Sequence, residues 1–206
     1  MLIFFIKCIT VFNIAFMPRR YILDIINFQK DGNKMNDNIN KTEFDKVFKL
    51  MKESFPESEY QTYEKQQKLL NTKEYKILTK YDENKNLIAF MALWDFPELV
   101  FIEHLAVSPL CRGGGIGTKF MKEVMEKYNK QIILEIEPPK NDMAIKRCRF
   151  YERLGFNICN FEYYQKPLRE NQPKLRLNLM SYPEPLDKNR FEYVKDFLYR
   201  NVYKYV

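Results

Sequence analysis

The spacing of apolar residues divides the first half of the chain into two helices and a hairpin. Apolar residues recur at helical spacing over 42–55, with Thr42 as the candidate N-cap, and a second, shorter helix is predicted over 62–71. The runs 75–81 and 87–96 are rich in β-branched and aromatic residues and flank an Asp/Asn turn. Such a pair predicts an antiparallel hairpin.

The second half of the chain alternates strands with helices around a cluster of glycines. The run 99–107 has few polar residues, which predicts a central strand. Charged residues on one face and apolar residues on the other predict a helix over 116–128. The remaining predicted elements are a strand over 131–137, a helix over 142–154 closed by Gly155, strands over 157–165 and 175–182, and a helix over 187–204. This order predicts an α/β fold built on one mixed sheet.

The length of 206 residues, of which 46% are hydrophobic, suits one compact domain, or at most one domain plus an appendage. We assign 35–183 to the domain and 184–206 to a C-terminal helix packed on it. Residues 1–34 form an N-terminal extension for which two interpretations stay open. Either its apolar run 1–17 is a weak membrane anchor, or translation begins at Met35 and the extension is not made.

The distribution of charge argues against a nucleic-acid partner. The formal net charge is +7, but residues 1–34 hold five Lys or Arg against two Asp, which leaves only +4 for the rest of the chain.

The four cysteines form no CxxC pair and only one histidine accompanies them, so neither a zinc site nor a disulfide framework is expected. The cysteines therefore favour the reducing cytoplasm. Apart from the open interpretation of 1–17, we expect no membrane partner.

Four of the six glycines fall within residues 113–117, between the central strand and the next helix. Unpaired amides at a helix N-terminus bind phosphate groups, and glycine lets a ligand approach the backbone closely. The cluster is not a P-loop, because Gly117 is followed by Thr118 instead of lysine. It also departs from the dinucleotide pattern GxGxxG, because Thr118 stands at the third glycine position. We expect a phosphorylated ligand at this glycine loop, which we define as residues 112–118.

Two blocks of sequence narrow the ligand further. The pattern Arg112-x-x-Gly115-x-Gly117 resembles the pyrophosphate-binding signature of the GNAT superfamily of acetyl-CoA-dependent N-acetyltransferases. The segment 144–156 is similar to the second motif of that family, a helix that ends in Phe-Tyr-x-x-x-Gly-Phe. The resemblance implies a GNAT-like fold, in which the central strands splay apart, and it implies acetyl-CoA as the co-substrate.

The resemblance also implies which residues contact the co-substrate. The pantetheine arm would lie along the end of the central strand, and the pyrophosphate would lie against the glycine loop. The asparagine that the family usually carries shortly before Ala144 is absent, and Asn141 is expected to replace it. The expected cofactor-binding residues are Leu105, Ala106, Val107, Arg112, Gly113, Gly114, Gly115, Ile116, Gly117, Thr118 and Asn141.

Glu103 and Tyr151 are the expected catalytic residues. A carboxylate in an apolar strand is costly unless it has a partner or a function, and Glu103 stands nine residues before Arg112, where relatives often carry the base. Tyr151 matches the tyrosine that in this family donates a proton to the CoA sulfur. His104 is the alternative base, and strand alternation places it on the face opposite Glu103 unless a β-bulge intervenes. Cys111 is expected to take no part, because direct transfer needs no cysteine.

These expectations describe an N-acetyltransferase that moves an acetyl group from acetyl-CoA to a primary amine by direct attack in a ternary complex. The alternative is a non-catalytic acyl-CoA-binding or regulatory module of the same fold. The acceptor is expected to be a small-molecule or peptide amine bound near 54–66 and 160–168, where tyrosines and acidic residues are frequent. No metal is expected, and a homodimer stays open.

Overall fold

The computed structural model describes residues 39–205, which form five α-helices and a seven-stranded mixed sheet. The helices are α1 (Lys41–Ser54), α2 (Tyr63–Leu69), α3 (Ile116–Tyr128), α4 (Asp142–Glu152) and α5 (Lys188–Asn201). The strands are β1 (Tyr75–Tyr81), β2 (Leu87–Asp95), β3 (Leu99–Val107), β4 (Gln131–Ile136), β5 (Asn157–Ile158), β6 (Tyr163–Gln165) and β7 (Leu175–Tyr182). The predicted mixed α/β fold is confirmed. The predicted extension over 1–34 lies outside the described residues.

The two predicted helix boundaries that depend on capping have different outcomes. Helix α1 is capped by Asn40, whose side chain accepts from the Glu43 amide at 3.0 Å while the Glu43 carboxylate accepts from the Asn40 amide at 3.0 Å. The prediction of Thr42 as the N-cap is therefore wrong, because this reciprocal pair satisfies two helix-end donors at once. Gly155 does close α4 as predicted, with φ of 90° and its amide donating to the Glu152 carbonyl at 2.9 Å.

The sheet has the order β1-β2-β3-β4-β7-β5, and β6 also pairs with β7. Strands β3 and β4 are parallel, whereas the other pairs are antiparallel. The prediction of a single strand over 157–165 is wrong, because this segment is divided into β5 and β6. Asn157 pairs with Ser181 and Tyr163 pairs with Leu177, so six steps along one segment face only four along β7 and the ladder cannot stay in register.

The central strands separate part of the way along β3. The ladder between β3 and β4 runs from Leu99 opposite Gln131 to Ile102 opposite Leu134, although β3 continues to Val107. The predicted splay of the central strands is therefore confirmed. It leaves a gap beside the second half of β3, at the end of the strand that leads into the glycine loop.

Apolar side chains form two clusters on opposite faces of the sheet. Val47 of α1 and Phe191 of α5 belong to one cluster, and Phe120 of α3 and Cys148 of α4 belong to the other. Helix α5 thus packs on the same face as α1, while the assignment of 184–206 as a separate segment stays a prediction. Within the described part of the chain, none of the helices is long and apolar enough to cross a membrane.

Candidate active site

The glycine loop has a backbone that only glycine adopts easily. Gly113 and Gly115 have φ of 88° and 76°, in the left-handed region. Gly115 is also the N-cap of α3, where it has no side chain to bond the amides of the first turn. These amides and the positive end of the helix dipole suit an anionic ligand such as a pyrophosphate.

A surface cavity lies at this loop and collects most of the predicted cofactor-binding residues. It is lined by Val107, Cys111, Arg112, Gly113, Gly115, Ile116, Gly117, Thr118, Phe150 and Arg153. Phe150 and Arg153 were not predicted as part of this site. The signal for them was their position beside Tyr151 in the second motif, where α4 ends next to the loop. Gly114 does not line the cavity. Arg153 adds a cation to a site already suited to phosphate.

Arg112 has a structural contact in this loop. Its Nε donates to the Val107 carbonyl oxygen at 3.0 Å, which ties the loop back to the end of β3. Asn141 likewise has a contact within the protein, because its Oδ1 caps α4 by accepting from the amides of Met143 at 3.1 Å and Ala144 at 2.9 Å. Contacts of both side chains with a cofactor stay predictions.

A β-bulge changes the faces on which the two candidate bases lie. In the pairing with β2, Ala92 faces His104 and Leu93 faces Ile102, so Glu103 is an extra residue in β3. The prediction that Glu103 and His104 point to opposite faces is therefore wrong. Their side chains are 6% and 0% exposed, and the Glu103 Oε2 lies 3.9 Å from the His104 Nδ1.

The surroundings of the two residues suggest different roles. His104 Nε2 lies 2.7 Å from the Glu59 carbonyl oxygen, and because a carbonyl only accepts, Nε2 carries the hydrogen. The His104 ring also packs edge-on against Phe55, with 4.8 Å between the ring centroids. Glu103 accepts from the Trp94 indole at 3.3 Å. The hydrogen bond at Nε2 and the packing on Phe55 thus hold His104 in place, as expected of a structural histidine.

A second buried carboxylate lies on the neighbouring strand. Glu135 of β4 accepts from the Tyr203 hydroxyl at 2.6 Å and also from the Tyr163 hydroxyl. Burial, followed by the negative charge of Glu135, raises the pKa of both tyrosines well above the usual value of about 10. Glu135 was not among the predicted catalytic residues, although it is a carboxylate in an apolar strand, which is the signal that marked Glu103. We call Glu103, Glu135, Tyr163 and Tyr203 the carboxylate face.

Both predicted catalytic residues line one narrow cleft at the point where β3 and β4 separate. Its lining residues are Phe55, Ile102, Glu103, Leu105, Leu134, Glu135, Arg147 and Tyr151. Tyr151 is 5% exposed and its ring packs against Phe156, with 5.7 Å between the centroids. The structure therefore brings Glu103 and Tyr151 to the same cleft, and Leu105 with them. Ala106 is buried in the apolar cluster on the opposite side of β3 from Leu105.

The cysteines of the described residues are free thiols, and no group of three or more potential metal ligands occurs among 39–205. Cys111 is half-buried in the wall of the loop cavity. Burial, followed by the charge of Glu152, raises the pKa of the Cys148 thiol to about 11, which leaves it protonated at neutral pH. These thiols give no sign of a metal centre in the described part.

A splayed α/β sheet that carries a glycine loop suited to an anionic ligand and a cleft lined by carboxylates and a tyrosine is the arrangement expected of a CoA-dependent acyltransferase. The family model "Acetyltransferase (GNAT) family" matches residues 44–156, more than half of the chain. The protein therefore belongs to the GNAT acetyltransferase family. It is an acyltransferase, which places it among enzymes instead of non-catalytic binding modules, and enzymes of this family use an acyl-CoA donor.

Relatives agree with this assignment. The chain is 30% identical over 162 residues to "Putative acetyltransferase YjbC" of Bacillus subtilis (strain 168). The matched region covers 77% of this chain and 81% of YjbC. It is similar to a solved GNAT-family acetyltransferase structure from Bacteroides thetaiotaomicron, with 28% identity, a TM-score of 0.75, and coverage of 82% of this chain and 98% of that one. A spermidine N-acetyltransferase from Vibrio cholerae, solved with CoA and spermine, shares the fold at 13% identity and a TM-score of 0.54, covering 73% of this chain and 95% of that one.

Proposed function

We propose that this enzyme transfers an acetyl group from acetyl-CoA to a primary amine by direct attack within a ternary complex. The observation that carries the proposal is the cleft at the separation of β3 and β4, which Glu103 and Tyr151 both line. A base for the amine and an acid for the leaving thiolate are the two groups that this reaction needs.

The donor would be bound along β3 and at the glycine loop. The backbone of Leu105 and Val107 would bond the pantetheine arm, because the ladder to β4 has already ended at Ile102. The amides of the loop from Gly113 to Thr118 would hold the pyrophosphate, with the Arg153 guanidinium close by. The fit of these residues to CoA rests on the two left-handed glycines and on the open N-terminus of α3.

The proton transfers follow from the chemistry of the two side chains. An amine acceptor is mostly an ammonium ion at neutral pH, and Glu103 would remove its proton directly or through one water. The neutral nitrogen would then bond to the thioester carbonyl carbon. As the carbon–sulfur bond breaks, Tyr151 would give its proton to the thiolate, and the resulting tyrosinate would take the second proton from the acylated nitrogen. The products are the neutral N-acetylated amine and CoA, and Glu103 returns its proton to solvent.

The carboxylate face favours an acceptor with positive charge. Glu103 and Glu135 both line the cleft, and two carboxylates in one narrow cleft attract cations and repel anions. A small diamine or polyamine would thus be preferred to an α-amino acid, whose carboxylate would be repelled. The Vibrio cholerae neighbour, solved with spermine, supports a small cationic amine as acceptor.

The free thiols of the described residues support a cytoplasmic location.

Thiol release from acetyl-CoA tests the proposal across a panel of diamines, polyamines, aminoglycosides, amino acids and peptides. We expect release only when an amine is present, and fastest with acceptors that carry a second positive charge. We also expect acetyl-CoA to raise the thermal midpoint while ATP and NAD do not. No response to acetyl-CoA would reject the proposal, and a preference for peptide N-termini would reject the small cationic acceptor.

A further inference from the structure

Arg147 lies in the wall of the cleft, and the proton transfers described above give it no role. The residue is only 3% exposed. Its Nη1 is ion-paired with Glu137, directly after β4. Its Nε has no hydrogen-bond partner among residues 39–205. Arg147 is therefore a buried cation whose Nη1 is paired with a carboxylate and whose Nε–H donor has no acceptor among these residues.

The unsatisfied donor calls for an explanation, because a buried N–H that has lost water without gaining an acceptor is unfavourable. The ion pair with Glu137 does not require arginine, since lysine provides the same charge. Arginine differs in its planar fork, in which Nε is a fixed donor beside the charged end. The presence of arginine therefore indicates an acceptor for Nε that arrives with a ligand.

The position of Arg147 indicates which ligand this is. Arg147 lies one helical turn before Tyr151 on α4, so the two residues share a helix face. Both line the cleft with Leu105 and Glu103, where the pantetheine arm and the thioester of the donor would enter. The acceptors that this part of an acyl-CoA offers are chiefly carbonyl oxygens, those of the thioester and of the pantetheine amides.

We infer that Arg147 donates a hydrogen bond from Nε to a carbonyl oxygen of the acyl donor. The inference rests on the proposed function. If the oxygen is that of the thioester, it becomes negative when the amine nitrogen bonds to the carbonyl carbon and the carbonyl electron pair moves onto oxygen. A charge-assisted hydrogen bond strengthens at that moment, and it weakens again when the pair returns and the carbon–sulfur bond breaks.

The test compares binding of acetyl-CoA and of CoA by calorimetry, because only acetyl-CoA has the thioester carbonyl. Arg147→Lys keeps a positive charge for Glu137 and removes the Nε donor. Arg149→Lys on the same helix is the matched control, since Arg149 is exposed. If Arg147→Lys lowers the thermal midpoint of the free enzyme, the double variant Arg147→Gln/Glu137→Gln is tested in its place. This double variant removes both members of the ion pair, so no buried charge is left without its partner.

We expect Arg147→Lys to weaken acetyl-CoA binding by roughly tenfold or more and the control to change it little. Unchanged CoA binding by the variant, together with a lower kcat, would identify the thioester oxygen. Equal weakening of CoA and acetyl-CoA would identify a pantetheine amide. Unchanged affinity for both ligands would overturn the inference while the proposed function stands. Failure of the wild-type enzyme to bind either ligand would instead reject the proposed function, and the inference with it.

Discussion

The glycine loop and the carboxylate face lie near each other along β3, but they are built from different parts of the chain. The loop depends on backbone conformation within one short segment, where Gly113 and Gly115 adopt positive φ. The carboxylate face depends on side chains from β3, β4, β6 and the C-terminal segment, and it needs a bulge at Glu103 to form.

This difference suggests a division of work within the family fold. The glycine loop, a site made of backbone, would bind the pyrophosphate that acyl-CoA donors share, and few residues are needed to keep it. A side-chain site can be changed one residue at a time, which suits the part that selects the acceptor. Variants at the two sites should therefore separate donor binding from chemistry and acceptor choice.

The largest effect is expected at the base. In the proposed mechanism Glu103→Gln removes the group that takes the proton from the ammonium, and we expect kcat to fall by roughly 10²- to 10⁴-fold, most strongly below the pH optimum. The matched variant Glu135→Gln should mainly raise KM for a cationic acceptor. The pH profile of the rate distinguishes them, and a profile of Glu103→Gln equal to that of the wild type would move the base to His104 or to water.

The next largest effect is expected at the glycine loop. Gly115→Ala places a Cβ in open space but at φ of 76°, so the strain comes from conformation and not from a clash. We expect CoA binding to weaken by about tenfold, at a cost to stability of about 1–2 kcal/mol. Gly115→Asn is the control, because Asn adopts this conformation more readily. Full recovery of affinity in Gly115→Asn would show that conformation alone matters, and unchanged affinity in both variants would remove the loop from the donor site.

A smaller effect is expected from the support of Glu135. Tyr203→Phe removes one of two hydroxyl donors to this buried carboxylate, which should cost about 1–3 kcal/mol of unfolding free energy. Tyr193→Phe is the control, because Tyr193 is exposed and bonds the surface residue Glu98. Urea denaturation measures both, and equal losses in the two variants would contradict a special role for the buried tyrosine.

The smallest effect at neutral pH is on folding stability and comes from the buried hydroxyls of Tyr163 and Tyr203. This effect grows as the pH becomes alkaline. Burial raises the pKa of Tyr163 and Tyr203 in the folded state, so the folded protein holds these protons at a pH where the unfolded chain releases them. Stability should therefore be unaffected below about pH 9 and should fall as the pH rises past about 10. Thermal midpoints between pH 8 and 11 measure this, with a shallower fall in Tyr203→Phe as the check. A flat curve would contradict the burial of these hydroxyls.

How far the sequence predicts each site follows from the range of the interactions. The glycine loop and the end of α4 at Gly155 depend on neighbours in sequence, and the position of the glycines between predicted elements marked both. The shared face of Glu103 and His104 depends on how β3 pairs with β2, since the bulge exists only relative to Ala92 and Leu93. No periodicity within β3 contains that information.

The same reasoning accounts for the other differences. The division of 157–165 into β5 and β6 depends on the register with β7. The hydroxyl donors of Glu135 come from positions 28 and 68 residues away, so only the folded chain shows that this carboxylate is supported. The cap of α1 is a local feature, and the pattern of Asn40 followed by Glu43 was present in the sequence.

The most direct test of direct transfer between the two sites is the initial rate of thiol release with both substrates varied. We predict that double-reciprocal lines against acetyl-CoA, at several concentrations of a diamine, intersect, and that the acetyl group appears on the amine alone. Parallel lines, or an acetyl group trapped on Cys111, would contradict transfer in a ternary complex.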